Sequence, residues 1–473
     1  MDVADVTLMD SWAEEEFAAA ALGDARRTKR LIQLAHTFGQ RPALSLPDGA
    51  QDPAMLKAAY RFFATDAIEP AAMVASHIAS TDDRCAAVPR VLAVQDTTEL
   101  DGSQHPHTTG LGPIHTKNHR GMLMHSMLGF TPDRVPLGLL HQHVWVRDDA
   151  TFGQLPDHHT RPFAEKESVR WADGLAAVDA ARVACPATHF VMVADAEADI
   201  YELFSAERAD GVDLLIRAAQ NRCVDDPEVR RLWNSVPYST RVGTRVVRVR
   251  AQAGQPAREA EVTIYRRTIT LRPPRRPAGS TPPLRPVTLQ IVWVTEERPP
   301  AGVEAIAWVL LTSVPVRSAA DALKVVDWYC CRWGIEIWHK ALKSGCAIER
   351  RQLETAARLQ RCLTLFSVIA WRIVYTTMLA RACPDVPCTA ILDEDEWQAL
   401  YCTVHRTPTP PSAPPPIGEA VRWIARLGGF QGRTYDGAPG IMVMWKGFQH
   451  LADLTTMYQI MRPRRKLGHV GKE

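Results

Sequence analysis

Three acidic residues stand far apart along the chain in settings that suit metal binding. Asp96 and Asp195 follow the apolar runs Val91–Val94 and Phe190–Ala194, so each is predicted to be a carboxylate at the tip of a buried strand. Glu336 lies in a basic, amphipathic segment that is predicted to be helical. Carboxylates on rigid elements can hold two divalent cations, which stabilise the attacking and leaving oxygens of phosphoryl transfer. The alternative for either aspartate is a turn-forming residue at a strand end.

The segment around Glu336 has the most specific spacing. It contains Tyr329, Arg332, Glu336, Lys340 and Lys343, whose intervals of three, four, four and three residues place them on one face of a helix. An acid flanked by a phenol and three cations suits a metal ligand surrounded by phosphate contacts. An exposed helix face with the ion pair Glu336–Lys340 has the same spacing, and the spacing alone does not separate the two.

The elements that must position these residues begin with a helical stretch. Residues 1–70 are predicted to be a small helical bundle, in which Asp24 caps a basic helix that carries Arg26, Arg27 and Arg30. Such a helix suits DNA binding, and its alternative is a solvated face. From about residue 88, three strands, a helix, a strand and a helix predict the start of a ribonuclease-H-like core. The strands are expected at Val91–Val94, Met122–Phe130, Leu137–Val146 and Phe190–Ala194, and the first helix at Glu165–Ala184.

A β-rich block is predicted between the second and third acids, over about residues 213–315. Its strands are expected at Leu214–Ala218, Thr244–Gln252, Glu259–Leu271, Val287–Thr295 and Trp308–Thr312. Long helices are expected at Ala319–Lys343 and Glu354–Ala382, followed by a proline-rich linker at Thr407–Pro416 and a final helical unit over 417–461.

Composition narrows the class of protein. The 473 residues predict two to four structural units, and a net charge of +2 does not by itself indicate nucleic acid, although cations cluster between Arg462 and Lys466. The ten cysteines form no CxxC pair, which argues against a zinc site and for reduced thiols. No signal-peptide core opens the chain, and no apolar run reaches about 20 residues. We therefore expect a cytosolic protein without a membrane segment.

Ordered motifs along nearly the whole chain resemble those of the IS4-type DDE transposases, and within them the Tn5-like members. Tyr329, Arg332, Glu336 and Lys343 keep every spacing of that family's Y-R-E-K signature. Asp96-Thr97-Thr98 is similar to its D-T-T motif, and Asp195-Ala196-Glu197-Ala198-Asp199 is similar to its D-R-E-A-D motif, with Ala196 in place of the arginine. Other similar segments are Ala21–Thr28, Gly138–Gln142, Glu165–Ser168 and Ile424–Phe430.

The resemblance implies an α/β fold, in which a ribonuclease-H-like catalytic core with a β-rich insertion is flanked by N-terminal and C-terminal helical domains. The implied domains are a DNA-binding domain at 1–70, the catalytic core at 71–380, and a proline-rich linker with a dimerisation domain at 381–473. Asp96, Asp195 and Glu336 are then the catalytic ligands of two Mg²⁺ ions, for which Mn²⁺ can substitute.

The resemblance also implies contacts with double-stranded DNA, at inverted-repeat transposon ends and at the target, within a homodimeric synaptic complex. The residues implied to contact DNA are Tyr329, Arg332, Lys340, Lys343 and Arg217 near the cleavage site, Trp308 and Trp333 as stacking aromatics, and Arg26, Arg27 and Arg30 on the end-binding helix. Trp308 is implied to receive a flipped base, and its alternative is core packing in a strand.

The implied reaction is cut-and-paste transposition, by strand hydrolysis, hairpin formation, hairpin opening and strand transfer. Two rival functions stay open at this point. A ribonuclease-H-like nuclease would share the three acids but would not need the basic face around Glu336 or the β-rich block. A transposase-derived DNA-binding protein would lack catalysis; the three intact acids argue against it, although Ala196 leaves some room for it.

Overall fold

The computed structural model describes residues 12–50, 52–153, 162–249, 256–274, 284–433 and 436–461. The cation cluster between Arg462 and Lys466 and the end of the strand expected at Thr244–Gln252 lie outside these residues. The α-helices are α1 (Trp12–Phe17), α2 (Ala25–Gln40), α3 (Leu46–Gly49), α4 (Pro53–Phe63), α5 (Pro70–Ala86), α6 (Val169–Ala184), α7 (Tyr201–Ser205), α8 (Ala319–Cys330), α9 (Trp333–Lys340), α10 (Ala356–Ala382), α11 (Glu394–His405), α12 (Ile417–Leu427) and α13 (Ile441–Met461). The strands are β1 (Arg90–Asp101), β2 (Gly112–Pro113), β3 (Arg120–Phe130), β4 (Pro136–Trp145), β5 (His189–Ala194), β6 (Val212–Arg217), β7 (Thr240–Val249), β8 (Arg258–Leu271), β9 (Val287–Thr295) and β10 (Ala307–Thr312).

The described residues divide into two units. The first, here called the sheet unit, comprises His77–His339 with Glu354–Ala357. The second, here called the helical unit, comprises the described parts of Met1–Ser76, Lys340–Leu353 and Arg358–Glu473.

One sheet of ten described strands forms the sheet unit, in the order β2-β3-β1-β5-β6-β10-β9-β8-β7, with β4 paired to β3. The central strands β1, β5 and β6 run parallel to one another, and the remaining pairs are antiparallel. The apolar runs in β1 and β5 are fully buried, as expected for parallel strands with both faces covered. Helix α6 packs on this part of the sheet through Trp171, Leu175 and Val178.

The β-rich block extends this sheet instead of forming a sheet of its own. β10 pairs with β6 on one side and with β9 on the other, and β8 and β7 continue outward. The block therefore connects through hydrogen bonds to the strand that follows Asp195 along the chain, and it carries Trp308 on β10 beside Arg217 on β6.

The single helix expected at Ala319–Lys343 is wrong, because the structure divides it. α8 ends at Cys330, α9 begins at Trp333, and a π-helical turn follows at Ala341–Gly345. Between the helices, the backbone N–H groups of residues 331, 332, 334 and 335 donate to carbonyls three residues earlier, which tightens the chain locally. Gly334 also lies against the Phe130 ring, where a Cβ atom would come within 2.6 Å of it. The sequence pattern is helical throughout, but the helix is interrupted between Cys330 and Trp333, beside this close contact with β3.

Helix α10 is the central helix of the helical unit. It is the one helix in the described part of the chain that is long and apolar enough to cross a membrane, but 83% of its most apolar window is buried inside the protein. Arg361 on α10 donates hydrogen bonds to the carbonyls of Phe63 and Ile68, at 3.0 and 2.8 Å, and so pairs the open carbonyl end of α4. These features are those of a core helix in a folded domain.

Helices α12 and α13 approach each other through two glycines. A Cβ atom on Gly447 would lie 2.0 Å from the carbonyl oxygen of Ile424, and one on Gly428 would lie 1.9 Å from that of Val443. Both neighbours are backbone atoms, so a larger side chain forces the helices apart.

We expect Gly447→Ala to lower the free energy of unfolding by about 1–3 kcal/mol, because the clash outweighs the roughly 1 kcal/mol gain in helix propensity. Thermal and urea unfolding of the full-length protein measure this difference. Gly440→Ala is the matched control, since a Cβ atom there meets nothing within 4 Å. Equal stability of the two variants would contradict the close approach of α12 and α13.

Candidate active site

The strand register brings Asp96 and Asp195 side by side. In the parallel pair of β1 and β5, Val94 lies opposite Val193, and each aspartate follows two residues later. The expected strand end is correct for Asp195, which comes directly after β5. It is wrong for Asp96, because β3 pairs with β1 from Leu92 to Asp101, so that the strand continues past Asp96. At Asp96, β1 is therefore still paired with β3 but is no longer paired with β5.

Burial and the nearby charge of Asp195 act together on Asp96. The pKa of Asp96 is raised to about 7, first by burial and then by the charge of Asp195, while Arg332 acts in the opposite direction. The side chain of Asp96 is 16% exposed, and its Oδ2 lies 3.8 Å from Nδ1 of His339. A cation placed between the two aspartates would relieve this repulsion.

Glu336 joins the site through Arg332. An NH2–Oε1 distance of 2.6 Å connects them, and Arg332 is 13% exposed whereas Glu336 is 42% exposed. Burial alone would lower the pKa of Arg332, but the Tyr329 phenol and the charges of Glu336, Asp96 and Asp195 raise it. The guanidinium thus supplies positive charge to all three acids. Glu336 therefore forms its ion pair with Arg332, four residues before it in the helix. The alternative interpretation of the spacing was a pair with Lys340, four residues after it.

The donor types suit a hard divalent cation. Carboxylate oxygens are the ligands that Mg²⁺ and Mn²⁺ prefer, and the charges of the three acids already raise the pKa of the Arg332 guanidinium. Within the described residues, no group of three His, Cys, Asp or Glu side chains is arranged to hold a metal ion, and Glu336 is directed to Arg332. The residues therefore fit the expected cation in type and charge.

Four of the residues expected to contact DNA lie together in the sheet unit. Trp308 packs edge-on against Tyr329, with ring centroids 5.2 Å apart, and against Trp333 at 6.1 Å. Arg217 forms a side-chain hydrogen bond with Tyr329. Burial raises the pKa of the Tyr329 phenol, and the charges of Arg332 and Arg217 offset only part of that rise. Trp308 is 9% exposed, so in this arrangement its rings serve as core packing.

The other expected DNA contacts, apart from Arg332, belong to the helical unit. Lys340 is exposed, and Lys343 forms an ion pair with Glu349 at 3.3 Å. On α2, the side chain of Arg26 is 95% exposed, while Arg27 donates a 2.9 Å hydrogen bond to the carbonyl of Leu22. Arg30 is half-buried on the same helix, and Asp24 caps it as expected, accepting from the N–H of Arg26. Of the three arginines expected to contact DNA on this helix, Arg26 is thus the most exposed, with its Nε 3.8 Å from Oδ1 of Asp24.

A polar network behind Asp96 was not predicted from the sequence. Thr97 bonds to His125 at 2.9 Å, and the other ring nitrogen of His125 bonds to Gln95 at 2.8 Å. Burial, followed by the charge of Arg170, lowers the pKa of His125 to about 2, so this imidazole is neutral. Arg170 itself donates to Thr97 at 3.0 Å. No local pattern identifies these residues, because their partners are distant in the sequence.

Asp199, the last acid of the segment that begins at Asp195, has a structural role. It pairs with Arg222, and both side chains are less than a tenth exposed. Its Oδ2 also accepts from the backbone N–H groups of Ala219 and Gln220, each at 2.7 Å. The buried pair anchors the turn that follows Arg217 to the segment that carries Asp195. His339, three residues after Glu336, is the one unpredicted site residue that helical spacing could have identified.

Three protein-family models together match most of the chain, but not residues 69–168. Residues 9–68 match the transposase DNA-binding model, residues 169–371 match the transposase DDE domain, and residues 368–465 match the transposase Tn5 dimerisation domain. The DDE match includes Asp195 and Glu336 and begins after Asp96. Together with the strand order β4-β3-β1-β5-β6, it confirms the expected ribonuclease-H-like core with helical regions on both sides.

We expect the metal-free protein to lose stability between about pH 4 and pH 7. The pKa of Asp96 is higher in the folded state than the roughly 3.9 of an unfolded chain, so folding becomes less favourable as the unfolded state ionises first. Asp96→Asn removes the carboxyl group whose ionisation opposes folding. We expect this variant to be more stable than the wild type at pH 8, by up to about 4 kcal/mol, and similar to it at pH 4. Thermal unfolding with a chelator present measures both; a stability difference independent of pH would contradict the assignment.

Proposed function

Because the chain belongs to the Tn5-type DDE transposases, we propose that Asp96, Asp195 and Glu336 are the catalytic metal ligands of a cut-and-paste transposase. The protein is a metal-dependent DNA-cleaving and strand-transfer enzyme that binds transposon ends and dimerises. The observation that carries the ligand assignment is the register of β1 and β5, which pairs Asp96 with Asp195 where Glu336 and Arg332 add opposite charges.

In this mechanism the three acids fix the site of reaction at the end of the parallel strands. When two Mg²⁺ ions, or Mn²⁺ in their place, are bound there, they neutralise the phosphodiester and lower the pKa of the attacking water or 3′-OH. Arg332, freed from Glu336, is a bidentate donor for a backbone phosphate. Tyr329 and Arg217, already hydrogen-bonded to each other, provide a phenol and a second guanidinium beside it.

The same site then performs four steps in turn. Water cleaves the strand at the transposon end, the released 3′-OH attacks the opposite strand and forms a hairpin, a second water opens the hairpin, and the 3′-OH attacks target DNA. Lys340 and Lys343 add phosphate contacts near the cleavage site. Trp308 stacks on a flipped base, which requires that its packing against Tyr329 and Trp333 opens, and Trp333 is the second stacking aromatic.

Outside the catalytic core, the helices at residues 1–70 bind the end sequence through Arg26, Arg27 and Arg30, and the region at 381–473 forms the dimer of the synaptic complex. The substrates are two inverted-repeat ends and a target duplex. The host cytoplasm, at the nucleoid, is the proposed location, in accordance with ten free cysteines and a buried apolar helix α10.

The decisive assay incubates full-length protein and Mg²⁺ with linear DNA that carries the inverted repeats flanking its gene. Hairpin and strand-transfer products support a transposase. Simple nicks instead identify a nuclease, and binding without cleavage identifies a DNA-binding derivative.

We expect Glu336→Ala to abolish cleavage and to leave end binding largely intact, since Glu336 supplies a ligand and not the end-sequence contacts. Cleavage products and gel shifts in EDTA measure the two properties. Glu304→Ala, at an exposed acid between β9 and β10, is the control. Retained cleavage by Glu336→Ala would remove Glu336 from the ligand set.

We expect Arg26→Ala to weaken end binding and to reduce the slope of log affinity against log salt by about 1, as for one lost phosphate contact. Gel shifts between about 50 and 200 mM salt measure the slope. Arg422→Ala removes an exposed arginine of α12 and should change neither quantity. An unchanged slope for Arg26→Ala would mean that this arginine faces solvent and does not contact a phosphate.

A further inference from the structure

Each of the two aspartates is held by the backbone of the residues that follow it. Asp96 accepts from the N–H of Thr97 through Oδ1 at 2.9 Å. Asp195 accepts from the N–H of Glu197 through Oδ1, also at 2.9 Å. The orientation of each carboxylate therefore depends on where Thr97 and Glu197 lie.

One side chain contacts both of these residues. Arg170, in the first turn of α6, donates from Nε to Oγ1 of Thr97 at 3.0 Å and from NH2 to Oε2 of Glu197 at 3.3 Å. Its third nitrogen, NH1, donates to the backbone carbonyl of Glu167 at 2.8 Å, so the guanidinium is also held by the residues just before α6. The guanidinium also lies 5.4 Å from the ring centroid of Trp145. Its position is thus fixed from several sides.

We propose that Arg170 is a positioning residue that sets the separation and orientation of Asp96 and Asp195 for divalent cations. This inference rests on the proposed function, in which both aspartates are metal ligands. Two cations that clamp one phosphate need ligands fixed to within about 0.5 Å, and residues behind the ligands provide that rigidity. Thr97 lies within β1 and Glu197 lies in the turn that follows β5, and Arg170 connects them with one rigid group.

The role is geometric more than energetic. Glu197 is 62% exposed, so its ion pair with Arg170 adds little to stability. Arg170 itself is 14% exposed and touches neither aspartate directly. A lysine keeps the charge but is a single point donor, which cannot replace a planar fork that spans two partners. Substitution by lysine should therefore fail to restore the arrangement.

The chain offers a closely matched control. Arg147 pairs with Glu167 through two hydrogen bonds of 2.7 Å and is 26% exposed. It lies next to the same α6 start, and its hydrogen bonds go to Glu167 and to the carbonyl of Ile114, not to Thr97 or Glu197. Arg147→Gln therefore removes a comparable surface guanidinium without disturbing either aspartate segment.

The test is a Mn²⁺ titration of the full-length protein, in which electron paramagnetic resonance measures the free ion. The Asp195→Asn variant defines how much of the bound Mn²⁺ is due to this site. We expect Arg170→Gln to weaken Mn²⁺ binding about 10- to 100-fold and to raise the Mg²⁺ concentration for half-maximal end cleavage to a similar degree. Arg170→Lys should resemble Arg170→Gln. Arg147→Gln should bind Mn²⁺ like the wild type. End binding in EDTA and thermal unfolding should be alike for the variants.

Two results would overturn the proposal: wild-type Mn²⁺ affinity in Arg170→Gln, or an equal loss in Arg147→Gln. If Arg170→Gln does not fold, Glu197→Gln takes its place, because it breaks one arm of the fork at an exposed position; unchanged Mn²⁺ affinity there also refutes the role. A wild-type protein that neither binds Mn²⁺ at the Asp195-dependent site nor cleaves ends would instead refute the proposed function itself.

Discussion

The like charges of Asp96 and Asp195, two partly buried carboxylates, are the constraint on which the candidate site depends. The parallel pairing of β1 with β5 forces Asp96 next to Asp195, and burial makes that arrangement costly unless positive charge is supplied. The structure supplies it from Arg332, which is raised in pKa by the same acids that need it. This balance explains why a guanidinium lies beside the two aspartates and why Glu336 pairs with Arg332.

The elements around this pair are arranged to keep it rigid. The buried Asp199–Arg222 pair fixes the segment after Asp195 to the turn after β6, and Arg170 spans the residues behind both aspartates. The β-rich block joins the same sheet through β10, so Trp308 is placed by strand pairing and not by a flexible insertion. The candidate site is therefore held by paired strands and by the buried Asp199–Arg222 pair, and such elements position side chains more precisely than loops do.

Sequence patterns predicted most of the strands because buried apolar runs leave little choice. β9 was expected at Val287–Thr295 and has those limits, and the apolar centres of β1 and β5 were identified correctly. The patterns failed where a neighbour decides the outcome. The helical period through Tyr329 and Glu336 shows no interruption, yet α8 ends at Cys330 and α9 begins at Trp333, beside the close contact of Gly334 with Phe130. Likewise, an apolar run cannot show that β3 carries β1 past Asp96.

The sequence by itself determined the types and order of the reactive residues: two aspartates after apolar runs, a glutamate among cations, and motifs whose spacing belongs to one family. These are local properties, since strand propensity and helical period act over a few residues. Tertiary structure decided which side chains meet. The adjacency of Asp96 and Asp195 follows from strand register, and the contacts of Arg170 join residues separated by 73 and 27 positions. Only folding brings such distant partners within hydrogen-bond range, so no local pattern could have shown them.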